Sequence, residues 1–448
     1  MAVEALLFFA AMYGASLLWI GVNFREVIEG PLWPRALIFS LLTVLWFASM
    51  GLYTPRQRAG FWGVTLRIVL SMLAALVCLA VLFFAVPTLN LSRGVVGLTA
   101  VTTVLIAIGV RHLFWRLSYT EAMKRRVLIY GQYERMVALM RMRRRNDRAG
   151  FTVVGVVHAP GDPPLPMGER VLEAPDGLVK LCSDLNVDEV VVALQDRRRV
   201  LPVEELLECK LAGVSVVEFI TFIERETGCI QLDMLTPSWM IFGPGLHKGT
   251  VRQFTSRAID FLASGVLVLV ASPIMLLAML AIWLEDGRKG APIFYRQERV
   301  GYAGRTFQLT KFRSMHVDAE VGGKPRWALK NDPRVTRVGS FMRISRIDEL
   351  PQLLNVLRGQ MSFVGPRPER PQFVRELEEQ IPFYAYRHAV KPGMTGWAQL
   401  CYPYGSSIED ARRKLQYDLY YVKNNNLLLD LTILVQTVEV VFMGKGAR

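Results

Sequence analysis

Ser345-Arg346-Ile347-Asp348-Glu349-Leu350-Pro351-Gln352 places two adjacent carboxylates directly before a proline. Proline suits the first turn of a helix, where its missing N–H leaves no bond unmade. The spacing predicts a helix over 351–358, stopped at Gly359. Asp348 and Glu349 then stand at a helix mouth, where the partial positive charge of the free N–H groups favours anions. Neighbouring side chains on a regular element diverge, but at a loop-to-helix junction both can face one cleft. Arg343, Arg346, Arg358, Arg367 and Arg370 flank the pair in sequence. A nucleophilic carboxylate, a metal-binding carboxylate and phosphate-gripping arginines are the parts that phosphoryl transfer needs. The plainer alternative is a helix cap beside a solvated charge cluster.

Just upstream, Phe307 to Met315 alternates apolar residues, which predicts a strand with Lys311 and Arg313 on one face. Two cations on one strand face suit a diphosphate; an ordinary solvated face is the alternative. Downstream, Gly365-Pro366-Arg367-Pro368-Glu369 reads as a rigid loop presenting one arginine. Lys391-Pro392-Gly393-Met394-Thr395-Gly396-Trp397 reads as a second loop punctuated by glycine. Residues 317–336 read as a mobile loop, 408–421 as a helix. The run 427–443 is broken by Asp430, Gln436 and Glu439 and suits a helix lying in a membrane interface.

Further back stands an apolar run over 259–284 with Ser272-Pro273 at its middle. Asp260 marks its start; Arg252 and Arg257 precede it, and Arg288, Lys289 and Arg296 follow. A plain crossing would carry one basic flank, and Asp348 with it, to the outer side. A proline kink that returns the helix to the side it entered keeps both flanks in the cytoplasm. The run is therefore expected to be re-entrant; a spanning helix that tolerates its proline is the alternative.

The chain opens with apolar spans at 5–22, 32–51, 66–86 and 95–110. Each is about long enough to cross the roughly 30 Å hydrocarbon layer as a helix. The first lacks a basic start and a small-residue cleavage site, so it reads as an anchor rather than a signal peptide. Arg56, Arg58 and Arg67 lie between spans two and three or just after. Arg111, Arg116, Lys124, Arg125 and Arg126 follow span four. The other two loops hold one arginine each, so the basic side, and the N-terminus, are expected in the cytoplasm. The whole chain has 448 residues, 52% of them hydrophobic, and a net charge of +14. The basic residues cluster beside apolar spans, which points to lipid headgroups and phosphate-bearing substrates rather than nucleic acid.

Between the spans and the re-entrant run the period changes. Strands are expected at 127–131, 151–158, 187–194 and 214–219, with helices at 134–145, 177–185 and 203–211. Such alternation argues a doubly wound parallel sheet. Its first turn departs from a dinucleotide fingerprint, because Gly131 is followed by Gln132, Tyr133 and Glu134. Dinucleotide binding and a structural or ligand-sensing role both stay open. Pro237, Gly243-Pro244-Gly245 and Gly249 mark a linker. The five cysteines include no Cys-x-x-Cys and the five histidines stand apart, which argues against a disulfide framework or a zinc site.

These motifs carry a resemblance. Ser272-Pro273, Lys311-Phe312-Arg313-Ser314-Met315, Asp348-Glu349-Leu350-Pro351-Gln352 and the two glycine-containing loops stand in the order found in the bacterial sugar transferases, or monotopic phosphoglycosyl transferases. With four N-terminal spans and a degenerate Rossmann-like middle, the chain resembles that family's long form, the polyprenyl-phosphate hexose-1-phosphate transferases. The resemblance implies a fold of four transmembrane helices (1–126), an α/β Rossmann-like domain (127–245) and a mostly α catalytic domain (246–448) with a re-entrant helix at 257–284. It implies transfer of a sugar-1-phosphate from a UDP-sugar to undecaprenyl phosphate, releasing UMP and starting exopolysaccharide, O-antigen or capsule assembly at the cytoplasmic face of the bacterial inner membrane. It implies Asp348 as the nucleophile that forms a phosphosugar intermediate and Glu349 as the Mg²⁺ ligand. Arg343 and Arg367, with Lys311 and Arg313 on the strand, would bind phosphate, and Ser272-Pro273 would break the membrane helix. Oligomeric state is left open, a homo-oligomer included.

Three other readings compete. A membrane-anchored nucleotide-sugar dehydratase or epimerase would need Tyr-x-x-x-Lys, and none of the 14 tyrosines has a lysine four residues on. A metal-dependent glycosyltransferase would carry Asp-x-Asp, which is absent from the sequence. A non-catalytic membrane scaffold is opposed by the intact carboxylate pair and its arginines.

Overall fold

A computed structural model describes residues 2–20, 31–53, 61–118, 124–131, 150–158, 171–194, 201–235, 250–285, 287, 290–317, 319, 333–402, 405 and 407–442. The chain divides into two compact units, Met1–Thr227 and Gly228–Arg448.

The first unit begins with the four expected helices: α1 (Ala2–Ile20), α2 (Leu32–Ser49), α3 (Phe61–Ala85) and α4 (Arg93–Ser118). Three of them contain 18 or more residues apolar enough to cross a membrane, and α2 contains an apolar helix over Leu32–Ala48. Met12, Ala36, Phe39, Met72, Leu79 and Ala100 pack together between them. Charged side chains among these helices find partners. Arg111 on α4 pairs with Glu4 on α1 and lies over the Phe47 and Tyr53 rings, while Arg35 on α2 donates to the Thr88 carbonyl at 2.7 Å.

Five parallel strands follow: β1 (Arg125–Gly131), β2 (Phe151–Val157), β3 (Val171–Leu172), β4 (Glu189–Ala193) and β5 (Ser215–Glu218), in the order β3-β2-β1-β4-β5. The reversal at β1 is the doubly wound topology that the alternating pattern predicts. Helices α5 (Leu178–Asp184), α6 (Val203–Leu211) and α7 (Phe219–Thr227) complete the described part. Leu178 and Cys182 of α5 and Leu206 and Cys209 of α6 pack on Leu128, Val190 and Val192 of the sheet. The expected helix over 134–145 and the turn at Gln132-Tyr133-Glu134 lie outside the described residues. β3 escaped the sequence reading, because two residues are too short to show a period.

The second unit is built on α8 (Thr250–Glu285), a 36-residue helix that continues through Pro273. Proline cannot donate to the carbonyl four residues back. Here that carbonyl belongs to Leu269, and the Ser272 hydroxyl donates to it at 2.7 Å. One stripe of α8 is buried: Asp260, Ser264, Met275, Ala278 and Ile282. The other faces present exposed apolar residues along the helix, from Phe261 and Leu262 to Leu277 and Trp283. Both ends of the helix are tied to the same unit. Arg257 donates to the Val356 and Leu357 carbonyls, and Glu285 accepts from the Arg337 and Val338 N–H groups at 2.9 and 3.2 Å.

Next come an antiparallel hairpin, β6 (Phe294–Val300) with β7 (Thr306–Phe312), then α9 (Arg337–Ile344) and α10 (Gln352–Leu357). Strands β8 (Ser362–Val364) and β9 (Gly393–Thr395) pair in parallel; α11 (Pro371–Gln380), α12 (Trp397–Cys401), α13 (Ile408–Asn424) and α14 (Leu427–Phe442) close the chain. Two polar positions of α14 find partners within the unit: Asp430 accepts from the Tyr421 hydroxyl at 2.7 Å, and Thr437 bonds Thr395 at 2.6 Å. The expected linker over 237–249, and with it the 245/246 boundary, lies outside the described residues. Ile230, Leu232 and Leu235 belong to the core of the second unit.

Candidate active site

Asp348 and Glu349 occupy a 3-10 turn, Ile347–Glu349, between α9 and α10. The chain enters it through Arg346, whose φ of 59° is left-handed. For a residue with a Cβ this costs on the order of 1 kcal/mol, a strain typical of functional turns. Ile347 and Leu350 on either side of the pair pack on Met275, Ala278 and Ile282 of α8, with Phe312 and Met342. The membrane-type helix therefore forms the floor of the turn. Phe312 and Met342 are almost fully buried there, each contributing about 2 kcal/mol of apolar burial.

Opposite the turn stands β7. Phe307 and Leu309 share one strand face and pack on Val356 of α10, so Lys311, two residues on, points the same way. Asn355, fully buried on α10, locks the two elements together. Its Oδ1 accepts from Thr310 N at 3.1 Å, and its Nδ2 donates to the Gln308 carbonyl at 2.7 Å. Lys311 Nζ reaches Glu349 Oε1 at 3.2 Å. The same oxygen meets Arg367 Nη2 at 3.4 Å and Arg346 Nη1 at 3.6 Å.

Arg367 comes from the first of the two glycine-containing loops, which lie backbone to backbone. A Cβ on Gly365 would collide with the Lys391 carbonyl, one on Gly393 with Gly365 N, and one on Gly396 with the Gly365 carbonyl. Only glycine admits this approach.

The two carboxylates differ. Burial works against the Glu349 charge, but Lys311, Arg367 and Arg346 outweigh it and hold the carboxyl well below the usual range. Asp348 is 7% exposed; among the described residues it accepts no hydrogen bond and forms no ion pair. Burial raises its pKa, opposed by Lys311, reinforced by Glu349 and opposed again by Arg343 and Arg346. Burial also lowers the pKa of Lys311, with the Glu349 charge acting against it. Four cations thus face two carboxylates, an excess of two positive charges that matches a diphosphate.

Of the expected residues, Lys311, Arg367, Asp348 and Glu349 come together, and Arg343 stands within electrostatic reach of Asp348. Arg313 is buried one residue beyond β7 and is not among the three cations on Glu349 Oε1. Arg346 was counted only as a flanking cation in the sequence; its three-residue spacing to Glu349 was the available signal. Arg257 and Asp260 were read only as flank and helix start. They fasten α8: Arg257 caps the C-terminal carbonyls of α10, and Asp260 accepts from Ser362 Oγ at 3.1 Å and Phe363 N at 3.2 Å.

Residues 251–444 match the family model described as bacterial sugar transferase, and residues 48–216 match one described as a CoA-binding domain. A UDP-glucose:undecaprenyl-phosphate glucose-1-phosphate transferase of Xanthomonas campestris pv. campestris is 32% identical over 372 residues, 80% of this chain and 76% of that protein. The chain belongs to the bacterial sugar transferase family. It has that family's long form, with helices and an α/β domain ahead of the transferase block. An Escherichia coli (strain K12) transferase of the same name is 32% identical over 72% of this chain and 69% of its own length. A UDP-N-acetylgalactosamine-undecaprenyl-phosphate N-acetylgalactosaminephosphotransferase of Aeromonas hydrophila is 39% identical over 62% of this chain. The match spans 63% of the length of that Aeromonas relative.

Proposed function

We propose that this membrane protein transfers a sugar-1-phosphate from a UDP-sugar to undecaprenyl phosphate, giving undecaprenyl-diphospho-sugar and UMP, the step that starts assembly of a surface polysaccharide. The observation that carries this reading is the bare, buried Asp348 carboxylate beside a cation-loaded Glu349, on a turn floored by α8.

Asp348 attacks the phosphorus that bears the sugar. The bond to the bridging oxygen breaks, UMP leaves with that electron pair, and the sugar phosphate stays on the carboxylate. An oxygen of the lipid phosphate then attacks the same phosphorus and frees Asp348. Splitting one exchange between two phosphates into two displacements is the advantage of a covalent nucleophile. Lys311, Arg346 and Arg367 receive the diphosphate as it approaches Glu349, and Arg343 steadies charge near Asp348.

The residues also fit Mg²⁺. Its coordination takes oxygen donors, commonly one or two carboxylates with water and phosphate. Glu349 Oε2 accepts no hydrogen bond among the described residues, and Asp348 is adjacent. When bound, the ion neutralises charge on the diphosphate. The cation excess disfavours the ion alone, so Mg²⁺ binding followed by calorimetry should tighten when UDP is present.

The topology that fits this chemistry keeps both ends of α8 in the cytoplasm, with the helix re-entrant at Ser272-Pro273, because both ends fasten to one unit. Single cysteines at Phe254 and Pro292, with the native cysteines replaced, should resist a membrane-impermeant thiol reagent applied to intact cells. Labelling of either from outside would end the re-entrant reading.

The reaction itself is tested by UMP release with undecaprenyl phosphate and a panel of UDP-glucose, UDP-galactose and UDP-N-acetylgalactosamine. The covalent step is tested by intact-protein mass spectrometry after a UDP-sugar alone. Wild type should gain one sugar-phosphate mass and Asp348→Asn none.

A further inference from the structure

Loop 365–369 has an unusual hydrogen-bonding problem. Pro366 and Pro368 have no N–H, and its backbone cannot satisfy itself as a ladder. Its carbonyls are nevertheless taken one after another. Gly393 N donates to the Pro366 carbonyl at 3.0 Å and Val300 N to that of Glu369 at 2.9 Å. The two carbonyls between are held by side chains: Arg387 Nη2 donates to the Arg367 carbonyl at 2.9 Å, and Arg299 Nη1 to the Pro368 carbonyl at 3.0 Å.

Arg387 is the deeper of these. It is 6% exposed and lies in the 3-10 turn Tyr384–Ala389. Its guanidinium also pairs with Asp418 Oδ2 on α13 at 2.8 Å and donates to the Tyr384 hydroxyl at 2.6 Å. Asp418 is 3% exposed. Burying a charge pair only to support one loop carbonyl is expensive, and an apolar pair often serves stability as well. What a guanidinium adds is a rigid planar fork that fixes three acceptors at once. Here one of the three is the backbone of the residue whose side chain reaches Glu349.

We propose that Arg387, held by Asp418, is a positioning residue for the transfer: it fixes the backbone of Arg367 so that the Arg367 guanidinium meets the donor diphosphate beside Glu349. The inference rests on the function proposed above, and it assigns Arg387 no contact with substrate.

A double-mutant cycle tests it, with rates per folded protein measured as UMP release from the UDP-sugar panel. Arg387→Gln should lower kcat/KM by roughly 10- to 100-fold, the scale of a misplaced binding group. It should divide that loss between kcat and KM as Arg367→Ala does. In the Arg367→Ala background the same change should add no more than about twofold, the limit of independent sites. Arg387→Lys keeps the charge without the fork and should not restore the rate. If Arg387→Gln alone fails to fold, Arg387→Gln with Asp418→Asn removes both buried charges together and carries the same cycle. Losses that multiply, or a wild-type rate for Arg387→Lys, overturn the positioning role alone. A wild-type rate for Arg367→Ala overturns it together with the placement of Arg367 at the donor.

Discussion

Two clusters of arginine and glutamate in this protein look alike in composition and differ in state. In the first unit Glu189 and Glu226, both 2% exposed or less, meet Arg125 and Arg225. Arg225 grips Glu189 with both Nη atoms, at 2.8 and 2.6 Å, and Arg125 bridges the two carboxylates at 3.0 and 2.7 Å. Both carboxylates are satisfied. In the second unit four cations face Asp348 and Glu349; one carboxylate holds three of them and the other holds none. A balanced, bonded cluster fastens strands and helix together. An unbalanced one leaves a reactive group and surplus charge for an anion, and it is there that chemistry is expected.

The largest expected effect comes from emptying the bare side of the contrast. Asp348→Asn should lower turnover by roughly 10⁴-fold or more, as loss of a covalent nucleophile does. It should also raise the melting temperature at pH 7. The fold raises the Asp348 pKa, so ionisation costs stability above that folded pKa and costs nothing below the unfolded one. The neutral amide removes the cost, and its advantage should vanish in acid. A variant that turned over normally would leave the pair as a metal site only and favour a single displacement.

Glu349→Gln should fail in the opposite sense. Its carboxyl is held far below the usual range, so its stabilising contribution is present at neutral pH and is lost only in strong acid. The variant should melt lower than wild type and lose about 10²-fold in rate, the scale of one charge-stabilising group. Excess Mg²⁺ should recover part of that rate. Melting shifts of the same sign at the two adjacent residues would collapse the distinction drawn between them.

Glu189→Gln probes the balanced cluster. It should cost about 2 kcal/mol of stability, since hydrogen bonds to charged groups are lost around a buried acceptor. UMP release per folded protein should stay within twofold of wild type. A tenfold drop would make that cluster part of the catalytic machinery. The smallest effect is on the pH profile: the acidic limb of kcat/KM should lie above the usual aspartate range, because burial raises Asp348. A limb at the ordinary aspartate position would show that Asp348 is better solvated than its surroundings indicate.

What could be read from the chain was local. The four apolar spans, the strand–helix alternation outside 134–145 and the helix after Pro351 all appear, with ends displaced by up to eight residues. The carboxylate pair was expected on the mouth of that helix and lies instead on a separate turn opened by Arg346. A left-handed arginine carries no sequence signature, because the strain is compensated by contacts made elsewhere. The hairpin strand β6 was not anticipated, since Arg296, Glu298 and Arg299 obscure its period.

By itself the sequence determined which segments are apolar enough for a membrane, where proline and glycine interrupt regular structure, and which residue types are present for phosphate chemistry. These depend on neighbours a few residues apart, so periodicity and backbone preference suffice. Only the tertiary structure decided which cations share one Glu349 oxygen, drawn from 38 residues upstream and 18 downstream. It alone set a buried Arg387 on the Arg367 carbonyl 20 residues away. Such meetings follow from packing α10 on β7 through Asn355 and seating the turn on α8. No local rule encodes them, because the burial that makes the ion pairs strong comes only when the distant segments close around them.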